Sequence, residues 1–167
     1  MIPLNIQISG FLSYKDQVDI DFTDVHLACI SGANGAGKSS ILDAMTWAFF
    51  GNARSKNDAV INQQSEAAEV RIDFAYENQT YRIQRTKTQN KSQVLEFSIQ
   101  NPETSDWRPL TEHTISETQK RIQSILRLDY DTFTNAAFFL QGKADQFTQL
   151  PPSRRKEILS NILGLEI

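Results

Sequence analysis

Cysteine and long apolar runs are scarce in this sequence of 167 residues. The single cysteine, Cys29, excludes an internal disulfide framework, and its apolar neighbours predict a small core residue. No apolar run is long enough to span a bilayer, and the N-terminus has no basic region followed by an apolar stretch. We therefore expect neither a membrane span nor a secretory signal, and these absences favour a cytoplasmic protein.

An excess of positive charge is also lacking. The formal net charge is −3 at pH 7, which argues against a uniformly basic nucleic-acid surface but leaves room for a local one. Hydrophobic residues make up 40% of the chain, so it can bury a real core as one domain or as a large lobe of one.

The most informative feature present is the stretch Gly-Ala-Asn-Gly-Ala-Gly-Lys-Ser at residues 32–39. It fits the phosphate-binding loop (P-loop) pattern G-x-x-x-x-G-K-[ST]. Its glycines permit left-handed backbone conformations that turn N–H groups towards a phosphate. Lys38 is expected to reach the β- and γ-phosphates, and the Ser39 hydroxyl is expected to bind Mg²⁺. The residues predicted to contact the nucleotide are Asn34, Gly35, Ala36, Gly37, Lys38, Ser39 and Ser40.

The sequence on either side of this loop has the expected pattern. Residues 25–30 form a nearly unbroken apolar run, which predicts a buried parallel strand. Residues 40–50 predict a helix that stops at Gly51, and the positive end of this helix would face the phosphates. Strand, loop and helix in this order predict a nucleoside triphosphate site rather than an incidental glycine-rich turn.

The rest of the chain divides into a β-rich middle and a helical end. Alternating apolar residues predict strands at residues 3–9 and 17–23, a hairpin that begins with residues 70–76, and a further strand carrying Leu95, Phe97 and Ile99. Thr114 and Glu117 have the spacing of a capping box, which predicts the start of a helix. A second helix is expected to begin at Pro152.

An acidic metal ligand is missing from the pattern. Hydrolysis by such a loop normally also needs a strand that ends in an acid and a group that activates water. Asp19 and Asp21 lie on an alternating strand, and Asp73 lies on a strand that runs into a hairpin, so solvated strand faces explain these acids better. The sequence therefore predicts only half of a catalytic site.

These motifs resemble the N-terminal ATPase lobe of the SbcC family, within the SMC-like branch of ABC ATPases. The matching residues are Ile6-x-Ile8-x-Gly10-Phe11-Leu12-Ser13-Tyr14, the loop at residues 32–40, Ile41-Leu42-Asp43-Ala44, and Phe139-Leu140-Gln141-Gly142 with the Pro152 segment. The resemblance implies an α/β fold of the ABC-ATPase type, with a mixed β-sheet around the P-loop helix. The implied subregions are a P-loop part at residues 1–60, a β-rich part at 61–110 and a helical part at 111–167.

The resemblance also assigns a role to Gln141. As the family's Q-loop glutamine it would join Ser39 on Mg²⁺ and report the nucleotide state, so Lys38 and Gln141 are the implied catalytic residues. The alternative is an ordinary polar residue in a turn before Gly142.

The function implied by the resemblance is that of an ATP- and Mg²⁺-binding half of a DNA double-strand-break repair ATPase. Its implied partners are a C-terminal lobe that supplies the metal aspartate, the catalytic glutamate and the signature serine, a second ATPase protomer, an Mre-type (SbcD-like) nuclease and double-stranded DNA. The isolated chain is expected to be inactive as an ATPase. A bacterial protein of this type would be cytoplasmic and associated with the nucleoid.

Several points stay open at this level. Some relatives carry an arginine near the first turn, where Lys15 is either its substitute or an ordinary exposed turn lysine. Adenine contacts are implied near residues 63–66. The basic residues Arg71, Arg82, Arg85, Lys87 and Lys91, with Arg54 and Lys56 nearby, form either a DNA-binding face or a solvated hairpin. Two other functions remain: a self-contained P-loop NTPase such as a small kinase, and an ATPase subunit of an ABC transporter.

Overall fold

The computed structural model describes residues 1–136 and 150–163. The strands are β1 (Ile2–Ser9), β2 (Val18–Asp21), β3 (Ala67–Tyr76), β4 (Gln79–Thr88), β5 (Val94–Gln100) and β6 (Trp107–Pro109). The helices are α1 (Lys38–Phe50), α2 (Ile115–Leu126), α3 (Tyr130–Ala136) and α4 (Pro152–Leu163), with a 3-10 turn at Asn57–Val60. The chain divides into two compact units, Met1–Ile122 and Gln123–Ile167.

The six strands of the first unit form one sheet in the order β2-β1-β3-β4-β5-β6, and every pair is antiparallel. Side chains alternate between its two faces, as strand geometry requires. The apolar face packs against α1, which contacts β1, β3 and β4. The predicted α/β class is thus confirmed, as are the strands at the N-terminus and in the β-rich middle.

The core between the sheet and α1 is aromatic as well as aliphatic. Phe49 of α1 meets Phe74 edge-on with ring centroids 5.1 Å apart, and Phe74 stacks on Tyr81, which stacks on Phe97. Fully buried members of this face include Ile6, Ile8, Val70, Ile72, Phe74, Ile83 and Phe97. This burial fixes α1, and with it the P-loop, on the sheet.

Two predicted helix ends are confirmed in detail. Gly51 follows α1 with φ +73°, and its N–H donates to Trp47 O at 2.8 Å, as a left-handed glycine at a helix C-terminus does. At the start of α2, the Glu117 N–H donates to Thr114 Oγ1 and the Thr114 N–H donates to Glu117 Oε2, each at 3.1 Å. This reciprocal pair is the capping box that the sequence predicts.

The predicted buried strand at residues 25–30 is wrong. The structure has no strand there, and Val25, Leu27 and Ile30 are 45%, 93% and 44% exposed. Cys29 is exposed as well, so its prediction as a core residue is also wrong. An apolar run becomes a buried strand only where neighbouring backbone pairs with it. Among the described residues no strand does so for this segment.

In the second unit, α3 and α4 pack against each other. Phe133 and Ile158 are buried, and Arg154 Nη2 lies 2.7 Å from Asp131 Oδ2. The helix predicted to begin at Pro152 is confirmed. Across the described parts of both units, no helix is sufficiently long and apolar to cross a membrane.

Candidate nucleotide-binding site

The P-loop leads directly into α1. Gly32, Gly35 and Gly37 have φ of +152°, +85° and +89°, and Gly37 precedes Lys38 as the left-handed N-cap residue. Residues 31–36 are exposed. Within the described chain, the N–H groups of Gly35 and Gly37 donate to no backbone carbonyl. An exposed loop with free N–H groups at a helix N-terminus can bind a phosphate.

Lys38 and Ser39 occupy the first turn of α1, at the mouth of this loop. The Lys38 ammonium donates to Gly32 O and Ala33 O, both at 2.8 Å, so the side chain folds over the loop towards its start. The Ser39 side chain is exposed. A Cβ at Gly35 would find no atom within 4 Å, so open space lies beside the loop. These residues fit a triphosphate with a Mg²⁺ ion, because they offer N–H donors, an ammonium and a hard hydroxyl oxygen.

The first turn of the chain, at residues 10–16, packs against Gly37 of the P-loop. A Cβ at Gly37 would lie 3.2 Å from Ser13 Cβ and 3.3 Å from the Tyr14 ring. The Tyr14 hydroxyl donates to Gly37 O at 3.4 Å, and burial raises the pKa of Tyr14 above its ordinary 10.0, so it stays a donor at neutral pH. Ser13 Oγ lies 3.1 Å from Oγ of the fully buried Ser40. A side chain at position 37 would be strained by the positive φ and crowded by Ser13 and Tyr14.

A second support comes from the segment after α1. Arg54 Nη2 donates to Ser40 Oγ at 2.6 Å, and Arg54 Nε lies 2.8 Å from Asp43 Oδ2. The Arg54 backbone N–H also donates to Asp43 Oδ1, at 3.1 Å. Asp43 therefore holds both the backbone and the side chain of Arg54 against the first turns of α1. No sequence pattern indicates this contact, because only the fold brings the loop onto the helix.

A cleft of about 610 Å³ opens beside these residues. It is lined by Leu12, Ser13, Lys15, Arg54, Ala59, Ile61, Asn62, Gln63 and Gln64. Asn62 Nδ2 donates to Leu12 O at 2.6 Å and fixes one wall to the first turn. Gln63 and Gln64 fall in the stretch where adenine contacts are implied by resemblance, and Lys15, the other open assignment, lines the same cleft.

Asp19, Asp21 and Asp73, the acids that the sequence offers as metal ligands, lie on strands β2 and β3. Asp19 and Asp21 are exposed, and each has its pKa lowered by hydrogen bonds, first from Gln17 and from Thr23 respectively. Asp73 accepts two hydrogen bonds of 2.7 Å from Arg82. Residues 1–136 and 150–163 contain no group of three metal-ligating side chains. Gln141, the other implied magnesium ligand, lies outside the described residues.

The hairpin has fewer free cations than its composition suggests, because one of them is buried and two are paired. Arg85 is only 1% exposed, so its place among exposed cations is wrong. Arg82 pairs with Asp73 and lies 4.0 Å over the Trp107 ring, and Lys87 Nζ lies 2.8 Å from Asp58 Oδ1. Strand alternation gives the physical reason, because it turns Arg85 to the apolar face.

Buried Arg85 instead closes the C-terminal end of α1. Its Nε and Nη2 donate to Ala48 O at 3.3 and 3.2 Å, and Nη2 also donates to Gln119 Oε1 at 2.6 Å. Gln119 Nε2 in turn donates to Phe49 O at 2.6 Å. Both carbonyls lack helical partners, and a cation is favoured at this end of the helix dipole.

Comparison with known proteins finds a family and relatives over nearly the whole chain. A family model described as an AAA domain matches residues 5–167. The chain is 31% identical over 170 residues to the SbcC component of the SbcCD nuclease from Deinococcus radiodurans, covering 99% of this chain and 19% of that protein. It is 34% identical over 176 residues to a probable DNA double-strand break repair Rad50 ATPase of Aquifex aeolicus, covering 99% and 17% respectively. The chain thus spans less than a fifth of these relatives.

The fold has a solved counterpart. The SMC head domain from Thermotoga maritima matches with a TM-score of 0.59 and 19% identity, over 90% of this chain and 52% of that one. This likeness concerns the fold alone.

Proposed function

This chain belongs to the AAA domain family and is homologous over its length to SbcC and Rad50 ATPases, and from this premise we propose that it binds ATP–Mg²⁺ as one half of a DNA-repair ATPase. The observation that carries the proposal is the loop at residues 32–39, which is exposed over residues 32–36, leads into the start of α1 and has its glycines at positive φ. The other half of the site lies on a separate segment, the C-terminal lobe of the same protein.

The phosphates occupy the open side of the loop. Free N–H groups of Gly35 and Gly37 bind phosphate oxygens, and Lys38 leaves the carbonyls of Gly32 and Ala33 to reach the β- and γ-phosphates. Ser39 supplies a hydroxyl to Mg²⁺, with Gln141 as the second proposed ligand. The bound ion would neutralise charge on the γ-phosphate during attack by water. The chain's own residues hold and orient the triphosphate.

The exposed apolar segment at residues 25–30 supports the half-site proposal. Leu27 is 93% exposed and Val25 and Ile30 nearly half exposed, although they lie immediately before the P-loop. Large apolar side chains that stay in water mark a surface that another element covers. We propose that a strand of the C-terminal lobe pairs with this segment. The same lobe would bring the metal aspartate, the catalytic glutamate and the signature serine.

The remaining partners follow from the family. ATP would join two protomers, each site being completed by the signature serine of the other, and the joined state would control access of DNA to an Mre-type nuclease. For DNA we propose contact through Lys56 and Lys91, which line one cavity of about 420 Å³ and have no ion-pair partner among the described residues. Phosphate contact by such lysines is independent of sequence and sensitive to salt.

Phosphate release measures the half-site directly. Purified residues 1–167 should release no phosphate from ATP above background, and the same chain mixed with the C-terminal lobe should hydrolyse ATP. Lys38→Ala should abolish that activity, whereas Lys120→Ala, which removes an exposed lysine of α2, should leave it intact. Turnover by residues 1–167 alone that is lost in Lys38→Ala would refute the half-site proposal.

A further inference from the structure

The cleft beside the P-loop contains one cation that is held in a fixed place. The Arg54 guanidinium is fastened at Nε to Asp43 and at Nη2 to Ser40, while its side chain stays 52% exposed. Its Nη1 group has no hydrogen-bond partner among the described residues. Arginine offers five N–H donors in a rigid fork that suits a phosphate. Two of them anchor the fork, and the Nη1 pair is left for a ligand.

The position of Arg54 defines which part of a nucleotide it meets. Lys38 lies at the end of the loop proposed to bind the β- and γ-phosphates, and the neighbouring cleft of about 610 Å³ is large enough for a nucleoside. Arg54 contacts Ser40 at 2.6 Å, and Ser40 follows Ser39 directly in α1. Ser13, which also contacts Ser40, lines the cleft together with Arg54. The group between the β-phosphate and the nucleoside is the α-phosphate.

Lys15 is the competing cation in this cleft. It is exposed, and no hydrogen bond or ion pair holds its side chain among the described residues. A flexible lysine loses more side-chain freedom on binding than an arginine that is already fixed. Arg54 therefore meets the requirement for a preorganised cation, and Lys15 does not.

We propose that Arg54 is a nucleotide-binding residue that contacts the α-phosphate, and that Asp43 is the positioning residue that aims it. This inference rests on the proposed ATP site at the P-loop and adds a second cation to it. Asp43 acts through geometry, because its two oxygens fix the Arg54 backbone and Nε together. A nucleoside diphosphate carries the same α-phosphate, so Arg54 should serve ATP and ADP equally.

Equilibrium titration with a fluorescent ATP analogue, followed by displacement with ATP, ADP and adenosine, tests this role in the full-length protein. Arg54→Gln should weaken ATP and ADP by the same factor, about 10-fold or more, as expected for loss of a charge-assisted hydrogen bond. Adenosine, which has no phosphate, should bind Arg54→Gln as it binds the wild type. Arg54→Lys keeps the charge without the fork and should fall between the two.

Matched variants separate the outcomes. Lys120→Gln removes an exposed lysine of α2 that lines neither cavity, and it should leave all affinities unchanged. Asp43→Asn should weaken ATP less than Arg54→Gln, and a thermal unfolding curve confirms that each variant is folded. If Lys38→Ala weakens ATP but folded Arg54→Gln binds like the wild type, or if Lys15→Gln alone causes the loss, the role of Arg54 is overturned. If Lys38→Ala has no effect, the proposed ATP site itself fails.

Discussion

Replacing Arg85 with methionine should destabilise the first unit more than any exposed charge on the same sheet. Arg85 is 1% exposed and makes four N–H···O contacts, two to Ala48 O and one each to Gln93 and Gln119 side-chain oxygens. Hydrogen bonds to a charged group contribute about 1.5–3 kcal/mol each, so four contribute at least about 6 kcal/mol. Methionine has similar length but can make none of them.

Burial of the charge offsets part of this stabilisation. Burial lowers the pKa of Arg85 from 12.5 to about 10, and a shift of that size corresponds to a cost of about 3 kcal/mol for keeping the charged form. The net loss in Arg85→Met is therefore about 3 kcal/mol. At about 2–4 °C per kcal/mol for a domain of this size, the melting temperature should fall by roughly 6–12 °C.

Circular dichroism during heating measures this loss, with Arg82→Met as the control. Arg82 lies on the same strand but faces the other side, with its side chain 27% exposed and paired with Asp73. Two hydrogen bonds to Asp73 stabilise less than the four buried contacts of Arg85, so the melting temperature of Arg82→Met should lie between those of Arg85→Met and the wild type. Equal melting temperatures for the two variants would refute the view that the Arg85 network holds the end of α1.

Three further predictions concern turns, ion pairs and DNA. Gly10→Ala should lower the free energy of unfolding by more than the roughly 1–3 kcal/mol that a left-handed non-glycine residue costs, because its Cβ would lie 1.9 Å from Ala67 O. Urea unfolding measures the loss. Gly35→Ala is the control, since Gly35 also has a positive φ but a Cβ there would meet no atom within 4 Å. Asp58→Asn should destabilise the protein at neutral pH but not in acid, because hydrogen bonds first from Lys87 and then from Asn90 lower the pKa of Asp58. The stabilisation by the Asp58 carboxylate is therefore present above pH 3.8 and is lost as the pH falls through the lowered pKa. A difference between the acid-unfolding curves of the variant and the wild type that persists in strong acid would contradict this. Replacing Lys56 and Lys91 together with glutamine should weaken DNA binding and reduce the salt slope by roughly two, whereas an unchanged slope in anisotropy titrations would exclude this cavity from the DNA surface.

Much of the fold of the described residues could be predicted from local patterns in the sequence. The glycine pattern before α1, Gly51 after it, and the capping box at Thr114 and Glu117 each involve groups a few residues apart, so the printed order of residues contains them. The predicted strand at residues 25–30 was wrong because hydrophobicity indicates that a segment is buried by some element without identifying that element. Within the described residues that element is missing.

The site residues divide in the same way. Arg85 lies on the same face of β4 as Tyr81 and Ile83, so strand alternation predicts that it is buried. A count of basic residues ignores the face on which each one lies. The pairing of Arg54 with Asp43 was not readable. It joins a loop to a helix through a turn whose path depends on the whole packed unit.

The central claim, that residues 32–39 bind ATP–Mg²⁺ through Lys38, is tested most directly by calorimetric titration of the full-length protein with ATP in the presence of Mg²⁺. The account predicts one ATP per chain, with affinity reduced at least about 10-fold in Lys38→Ala, because that variant lacks the ammonium that reaches the β- and γ-phosphates. Equal affinity in the wild type and in Lys38→Ala, or no binding by the wild type, would contradict it.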